Sequence, residues 1–424
     1  MDQQLELSTD ADTAALWWDF VDRQVTRRSG AGTVLRRVID ADPGLAVAHA
    51  AALLLALFDA ADFEPATEAA AARRARADHD WERSFTEAML TTHSQGIWPA
   101  RPSWVHHQQQ HPADLVGLSI AVFLAVTSAE LTGPEQALGH VRASAAAVGE
   151  HSVLVGYEAM HAQDEGRLEE AHRHAVRALE LDPTGFAGGH PLAHVYFEDG
   201  DHVDGIAWLD GWLPTTDQDA AFGAHLVWHS ALHHLAVGDG EGALERYRHC
   251  ASRPGAGGLI DGTSMLWRCQ LHGLVAAGSD PSDTPVAPMV RPFVDRVPST
   301  FVGVHVALGL ATAGDADALH RFARSAASFT APGAAELLPG LARGLAAYVE
   351  GDHATASALL LAEEAAVARY GGSHAQREVF EDTLLQTLVR AGRYDEATTR
   401  LVARLERRDS RLDAGLLARA TRSG

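Results

Sequence analysis

Residues 158–183 read EAMHAQDEGRLEEAHRHAVRALELDP, and this stretch decides the fold. Gly166–Arg167–Leu168–Glu169–Glu170–Ala171 is a polar turn opening onto an Ala-rich helix, and Leu181–Asp182–Pro183 closes that helix. The same punctuation returns at Gly200 and Gly238, in steps of 34 and 38 residues. The first step is the tetratricopeptide period. A helical hairpin of this kind cannot bury its apolar face alone, so it must stack on neighbours. The expectation is an all-α, right-handed α-solenoid of tetratricopeptide-like helical hairpins.

Working outward, the clearest repeats cover residues 153–252 and 378–408, the second carrying Gly392–Arg393–Tyr394–Asp395–Glu396–Ala397. Helical punctuation continues elsewhere. Asp40–Ala41–Asp42–Pro43 ends one hairpin, Trp81 to Thr92 reads as a helix before Gly96, and His111–Pro112 ends another. Helices are expected at Phe301 to Thr312, Leu341 to Gly351 and Glu378 to Gly392, with a capping helix in the Arg- and Leu-rich tail. Ser279 to Pro288 is the most linker-like segment. It is too short to divide the chain, so residues 1–424 read as one continuous unit.

Composition supports helix and narrows the partners. The chain has 424 residues, 46% of them hydrophobic, and contains neither Lys nor Asn. A net charge of −22 argues against nucleic acid and anionic membrane surfaces as partners. Cys250 and Cys269 are the only cysteines, too few for a disulfide framework, so a reducing, cytoplasmic setting is expected. The start, Met1–Asp2–Gln3–Gln4–Leu5–Glu6, has no basic and apolar succession, so no signal peptide is expected. The apolar run Leu45 to Phe58 contains His49 and is too short to span a bilayer.

Twenty-four histidines demand sorting. His106, His107, His111, His172 and His174 read as solvated face residues, and His233 and His234 as packing positions. Two pairs stand apart. His190 and His194 are four residues apart, and so are His225 and His229, with Trp228 beside them. Each pair shares one helical face. The two helices are corresponding first helices of successive repeats, so the four rings are expected to converge on the concave side. The ordinary reading is a hydrogen-bonded polar seam between repeats. An HxxxH pair can also hold a metal ion, as in HExxH zinc sites, but neither pair here encloses a glutamate base.

Further along, Asp261 and Arg268 are seven residues apart, two helical turns, and can face one way. Their ordinary reading is a helix N-cap and a surface ion pair. His305 stands in an otherwise apolar helix. Gly371–Gly372–Ser373–His374–Ala375–Gln376–Arg377 opens a helix. Glycines there can expose backbone N–H groups to an anion, although no phosphate-loop Lys follows.

Together these runs resemble the tetratricopeptide repeat protein 38 family, which occurs in animals and bacteria, and a bacterial member is expected. The matching runs are Ala41–Asp42–Pro43 with His49; His190 with Ala193–His194; His225, Trp228–His229 and Ala231–Leu232; Asp261, Ser264–Met265–Leu266 and Arg268; His305; and Gly371–Gly372–Ser373, Ala375–Gln376–Arg377 and Val379–Phe380. The likeness spans about Leu35 to Gln386. Two positions depart from the pattern. Phe197 stands where Glu is expected, with Glu198 one place later, and His374 stands where Asn is expected. The resemblance implies the fold and selects positions without implying a reaction.

The function expected is a small-molecule-binding solenoid whose concave pocket works as a cofactor-independent acid/base enzyme on a polar or anionic metabolite. His190, His194, His225 and His229 would supply acid–base groups near neutral pH, and Asp261 would orient one of them. Arg268 and Arg377 would hold a carboxylate or phosphate, with His49, Trp228, His305 and Gln376 lining the pocket. No Ser or Cys nucleophile motif stands out. The alternatives are a scaffold for a protein or peptide partner and a metal-dependent enzyme using the two HxxxH pairs.

Overall fold

The computed structural model describes residues 5–57, 62–128, 130–217, 219–220, 222–253, 255–282, 285–367, 369–370 and 372–423. Within them the chain is all helical. In order come α1 (Ala11–Val25), α2 (Ala31–Ala41), α3 (Ala46–Leu57), α4 (Pro65–Arg74), α5 (Asp80–Gln95), α6 (Arg101–Gln110), α7 (Leu115–Val126), α8 (Gly133–Val148), α9 (Ser152–Asp164), α10 (Leu168–Leu181) and α11 (Phe186–Asp199). They are followed by α12 (His202–Trp212), α13 (Gly223–Ala236), α14 (Gly240–Ala251), α15 (Gly255–Leu271), α16 (Thr300–Thr312), α17 (Ala316–Ala326), α18 (Ala334–Glu350), α19 (His353–Val367), α20 (His374–Arg390), α21 (Tyr394–Arg407) and α22 (Arg411–Ser423). Short 3₁₀ turns occur at Leu213–Thr215 and Ala287–Phe293. Among the described residues the only β-type pairing is an isolated bridge between Leu45 and Arg76.

Residues 153–252 form three hairpins, α9–α10, α11–α12 and α13–α14, and residues 378–408 form most of α20–α21. Their turns depend on glycine: Gly166, Gly200, Gly238 and Gly392 have φ of 73°, 81°, 80° and 73°, a left-handed conformation that strains residues with a Cβ. Polar caps start other helices. Asp114 accepts from Val116 N, Ser299 from Val302 N and Asp315 from Ala318 N, each satisfying a donor the helix leaves open.

The structure adds helices that the punctuation left unread. α17 carries a buried stripe of Leu319, Phe322, Ala323 and Ala326, spaced to one face. α18 begins at Ala334 rather than Leu341 and runs through Pro339. α15 begins at Gly255, so Asp261 lies inside a helix and is not its N-cap.

Helices pack chiefly on their sequence neighbours, α9 on α10, α10 on α11, α13 on α14, and α17 on α18 on α19. Large apolar clusters follow this order. One runs from Trp17 in α1 to Val153 in α9, another through α11, α13, α14 and α15, and a third from Leu259 to Ala420. Long-range ties then draw both ends onto the middle. Arg28 reaches Asp182 (2.9 Å) and the Ser29 N–H donates to Asp217 (2.7 Å). From the other end, His202 reaches the Asp409 carbonyl (2.8 Å), Arg268 reaches Asp382 (2.9 Å), and His374 reaches Glu198 (2.9 Å). The facing sides of α11 and α13 are thereby enclosed. Among the described residues no helix is long and apolar enough to cross a membrane.

Candidate metal centre

α11 and α13 bring the two HxxxH pairs together. His190 Nε2 lies 3.1 Å from His225 Nε2 and 3.2 Å from His194 Nε2, and His229 Nε2 lies 3.3 Å from His225 Nε2. The His194 and His229 ring centres are 4.3 Å apart. One nitrogen from each of His190, His194 and His229 falls within a sphere of mutual distances of 4.8 Å or less. Both His194 and His229 are wholly buried.

These contacts do not close as hydrogen bonds. His225 Nδ1 lies 2.9 Å from Asp261 Oδ1. A carboxylate only accepts, so Nδ1 carries the proton and, in the neutral ring, Nε2 is left with one in-plane lone pair. That single lone pair faces two nitrogens, at 3.1 and 3.3 Å. His190 Nε2, with one proton or one lone pair, likewise faces two nitrogens. Extra protons are not available to repair the deficit. Burial first, then the neighbouring imidazoles, holds His190 and His229 well below the usual histidine range and His194 at about 3. These three rings are therefore neutral at pH 7. Burial thus works against their protonation near neutrality.

Donation from His229 to His225 and from His194 to His190 leaves the His190 and His225 Nε2 atoms facing each other at 3.1 Å with lone pairs only, a concentration of electron density that suits a nearby cation. Neutral imidazole is the ligand form. Nitrogens held about 2.0–2.1 Å from a tetrahedral ion stand about 3.3 Å from each other; His190 and His194 Nε2 are 3.2 Å apart, and the nitrogens of His190, His194 and His229 all lie within 4.8 Å of one another. The Asp261–His225 contact is the carboxylate that commonly fixes a ring beside a metal. The buried Nδ1 atoms of His194 and His229 have no hydrogen-bond partner.

The surroundings hold the rings in place. Pro191 lies inside α11 between His190 and His194. It removes one helical donor, at a cost of about 3 kcal/mol in an ordinary helix. Phe186 stacks on His190 (centres 4.6 Å apart, planes at 18°), and Trp228 stacks on His225 (5.3 Å, 12°). The Arg268 guanidinium lies 5.8 Å from the Trp228 ring centre. It is buried and fully engaged, bonding Asp382, Ser264 and the Ala375 carbonyl. Arg268 is thus a tie between α15 and α20 rather than a free anchor for a ligand, and the surface-pair reading fails as well. His305 sits beside Asp261. Its Nδ1 donates to the Phe301 carbonyl at 2.7 Å, its buried Nε2 has no partner, and burial lowers its pKa to about 4.

Three further assignments are corrected. Both ring nitrogens of His49 are engaged within the N-terminal helices, by Glu68 (2.6 Å) and the Pro43 carbonyl (3.0 Å), and neither partner belongs to the cluster. Gln376 accepts from the Ser373 N–H at 2.9 Å and completes a capping box with Ser373. The start of α20 is thus capped by its own side chains, and Gly371 lies outside the described residues. His107 is buried, not solvated, between Ser84 (3.0 Å) and Asp114 (2.9 Å).

The structure also assembles groups that sequence reasoning did not place. Glu198, one place after Phe197, bonds to His374, and His374 acts on His194 electrostatically. Asp164, at the end of α9, lies near Arg377, His374 and Glu198. Its side chain is exposed to solvent, so water offsets the burial that would raise its carboxyl pKa, while Arg377 and His374 act to lower it. A separate grouping of Glu135, His161 and Glu165 makes loose pairs at 3.5 and 3.7 Å, with both carboxylates exposed. No protein-family model matches the chain.

Proposed function

We propose that this protein is a metal-dependent enzyme in which His190, His194 and His229 hold a transition-metal ion that acts on a small polar or anionic molecule. The observation that carries the proposal is the grouping of one nitrogen each from His190, His194 and His229 within 4.8 Å of one another, in a buried imidazole cluster whose contacts at 3.1–3.3 Å cannot all be hydrogen bonds at once. An all-imidazole set suits zinc, copper, iron or nickel. Such an ion supplies Lewis acidity and a water acidified towards neutrality, which fits hydrolysis or hydration. His225 has its Nδ1 proton fixed by Asp261 and presents Nε2 as a proton acceptor at the same spot. His374, bonded to Glu198, and Arg377 add polar and cationic groups on the His194 flank.

A second reading makes His225 a fourth ligand, favoured by the same carboxylate contact. X-ray absorption separates the two: three nitrogens with an oxygen, or four nitrogens. The peptide-scaffold alternative has less support, because Asp261, Arg268 and Glu198 are taken up by His225, Asp382 and His374. We also propose that the helices form one continuous right-handed tetratricopeptide-like solenoid. Sequence-neighbour packing and the left-handed turn glycines support it, and the family resemblance points to the same residues.

The test is elemental analysis of protein purified without a histidine tag. About one equivalent of a transition metal is expected, lost in His194→Ala. No metal in the purified protein, and none taken up from dilute zinc, cobalt, nickel or copper, would refute the proposal.

A further inference from the structure

We propose that Arg27 receives an anionic group, carboxylate or phosphate, on the molecule handled at the histidine centre. This rests on the metal reading above and adds the recognition element that reading lacks.

Four observations converge on Arg27. It follows α1, in the short connection to α2, and is the one described non-glycine residue with a left-handed backbone, φ 64°. Its neighbours hold it there. The Thr26 hydroxyl donates to the Asp22 carbonyl (2.6 Å), Arg28 pairs with Asp182, and the Ser29 N–H donates to Asp217. The connection is therefore clamped onto the loops that flank α11 and α13. Strained backbone fixed from both sides is a recurrent feature of sites that must aim a side chain.

Second, the guanidinium is half-buried and has no carboxylate partner among the described residues. Arg23 and Arg28, on the same turn, both have one, in a chain with 56 acidic residues. Third, Arg27 lies over the Phe222 ring at 4.5 Å. Phe222 packs on Phe186 at 5.3 Å, and Phe186 stacks on His190 at 4.6 Å. The aromatic wall thus leads from the cation to the first imidazole of the centre. Fourth, the Arg27 charge is close enough to act on His190. A fork of N–H donors held over an apolar wall suits a planar carboxylate or a phosphate. A chain of charge −22 also needs a local cation if it is to admit an anion.

The test uses the full-length protein loaded with Co²⁺ and follows its visible spectrum. Acetohydroxamate probes the metal alone. Succinic monohydroxamate adds a carboxylate, and phosphonoacetohydroxamate adds a phosphate-like group. The wild type should bind at least one anionic probe about 10- to 100-fold more tightly than acetohydroxamate, the range for a charge-assisted pair. Arg27→Gln should abolish that preference, and Arg27→Lys should restore part of it. Which anionic probe gains more identifies the class of anion. Equal binding of all three probes by the wild type, or a preference that survives in Arg27→Gln, overturns the role of Arg27 and leaves the metal reading standing. If acetohydroxamate leaves the wild-type cobalt spectrum unmoved, the ion has no open position and the enzyme reading fails first.

Discussion

Replacing His194 with alanine separates a metal centre from a polar packing seam. His194 is wholly buried, its Nδ1 has no partner, and its Nε2 faces His190 at 3.2 Å. In metal-free protein two effects oppose each other. Truncation leaves a cavity, which costs about 2–5 kcal/mol when a large apolar side chain is removed. It also removes a buried polar atom without a partner, worth about 1–3 kcal/mol, and relieves crowding among facing nitrogens. The net loss in the apo state should therefore be small, about 1–2 kcal/mol. The metal-loaded state behaves differently. An ion at 100 times its dissociation constant stabilises the wild type by about 2.7 kcal/mol, and His194→Ala should forfeit nearly all of that. The assay is a thermal melt of both proteins, stripped by chelator and then reloaded with zinc. The wild type should gain stability on reloading and the variant should not. If the two proteins respond equally to chelator and zinc, and differ only by a constant offset, His194 is a packing residue and the reasoning is wrong.

Lowering the pH should destabilise the fold through the same rings. His190 and His229 are depressed and His194 sits at about 3 in the folded state, against about 6.5 unfolded. Between those values the unfolded chain binds protons that the folded chain refuses. Stability is therefore present above about pH 6.5 and falls as the pH drops below it, by about 1.4 kcal/mol per pH unit for His194 towards pH 3 and in the same direction for His190 and His229, as denaturant titrations across this range should show; a flat profile would count against neutral buried imidazoles. Arg268→Ala should cost about 3–5 kcal/mol in chemical denaturation, because Asp382 loses a buried partner; a change under 1 kcal/mol would return Arg268 to the ligand. Arg377→Gln should raise the Asp164 pKa, since Arg377 lowers it; carbon-detected NMR titration reads the direction, and an unmoved or lowered value would refute the coupling. Asp261→Asn should weaken metal binding or activity about 10- to 100-fold, with His225 rotated or re-tautomerised in a crystal structure; unchanged affinity and activity would remove Asp261 from the site.

Turns and periodicity were legible because they are local. Gly166, Gly200 and Gly238 announce their hairpins by a chemical need that does not depend on distant residues. The i, i+4 spacing placed each HxxxH pair on one face, and the 35 residues from His190 to His225 placed the pairs on corresponding helices. Asp261 could be assigned to the same cavity because it lies one repeat further on. What was not legible depends on closure of the chain. Arg268 looks like a free cation until α20 supplies Asp382 and the Ala375 carbonyl, more than 100 residues away. His107 looks solvated until Asp114 and Ser84 surround it. Arg27 gives no signal at all in the sequence, since its importance comes from α1 lying against loops some 150 to 190 residues distant.

The same closure explains why the histidines could not be read as acids and bases. A histidine's pKa is set by what surrounds it, and HxxxH spacing is compatible with a wet groove or a dry interior. Here α11 and α13 press the four rings together while the C-terminal hairpins cover them through His374 and Arg408. Crowding raises the cost of charge until protonation is no longer an available response at neutral pH. Where burial disfavours protonation and the facing nitrogens cannot all be bonded to one another, a bound cation is the response we propose. On that proposal, the centre owes as much to packing as to residue type. A variant that loosens α20, such as Arg268→Ala, should raise the His194 pKa towards its ordinary value and weaken metal binding, although Arg268 touches none of the four rings.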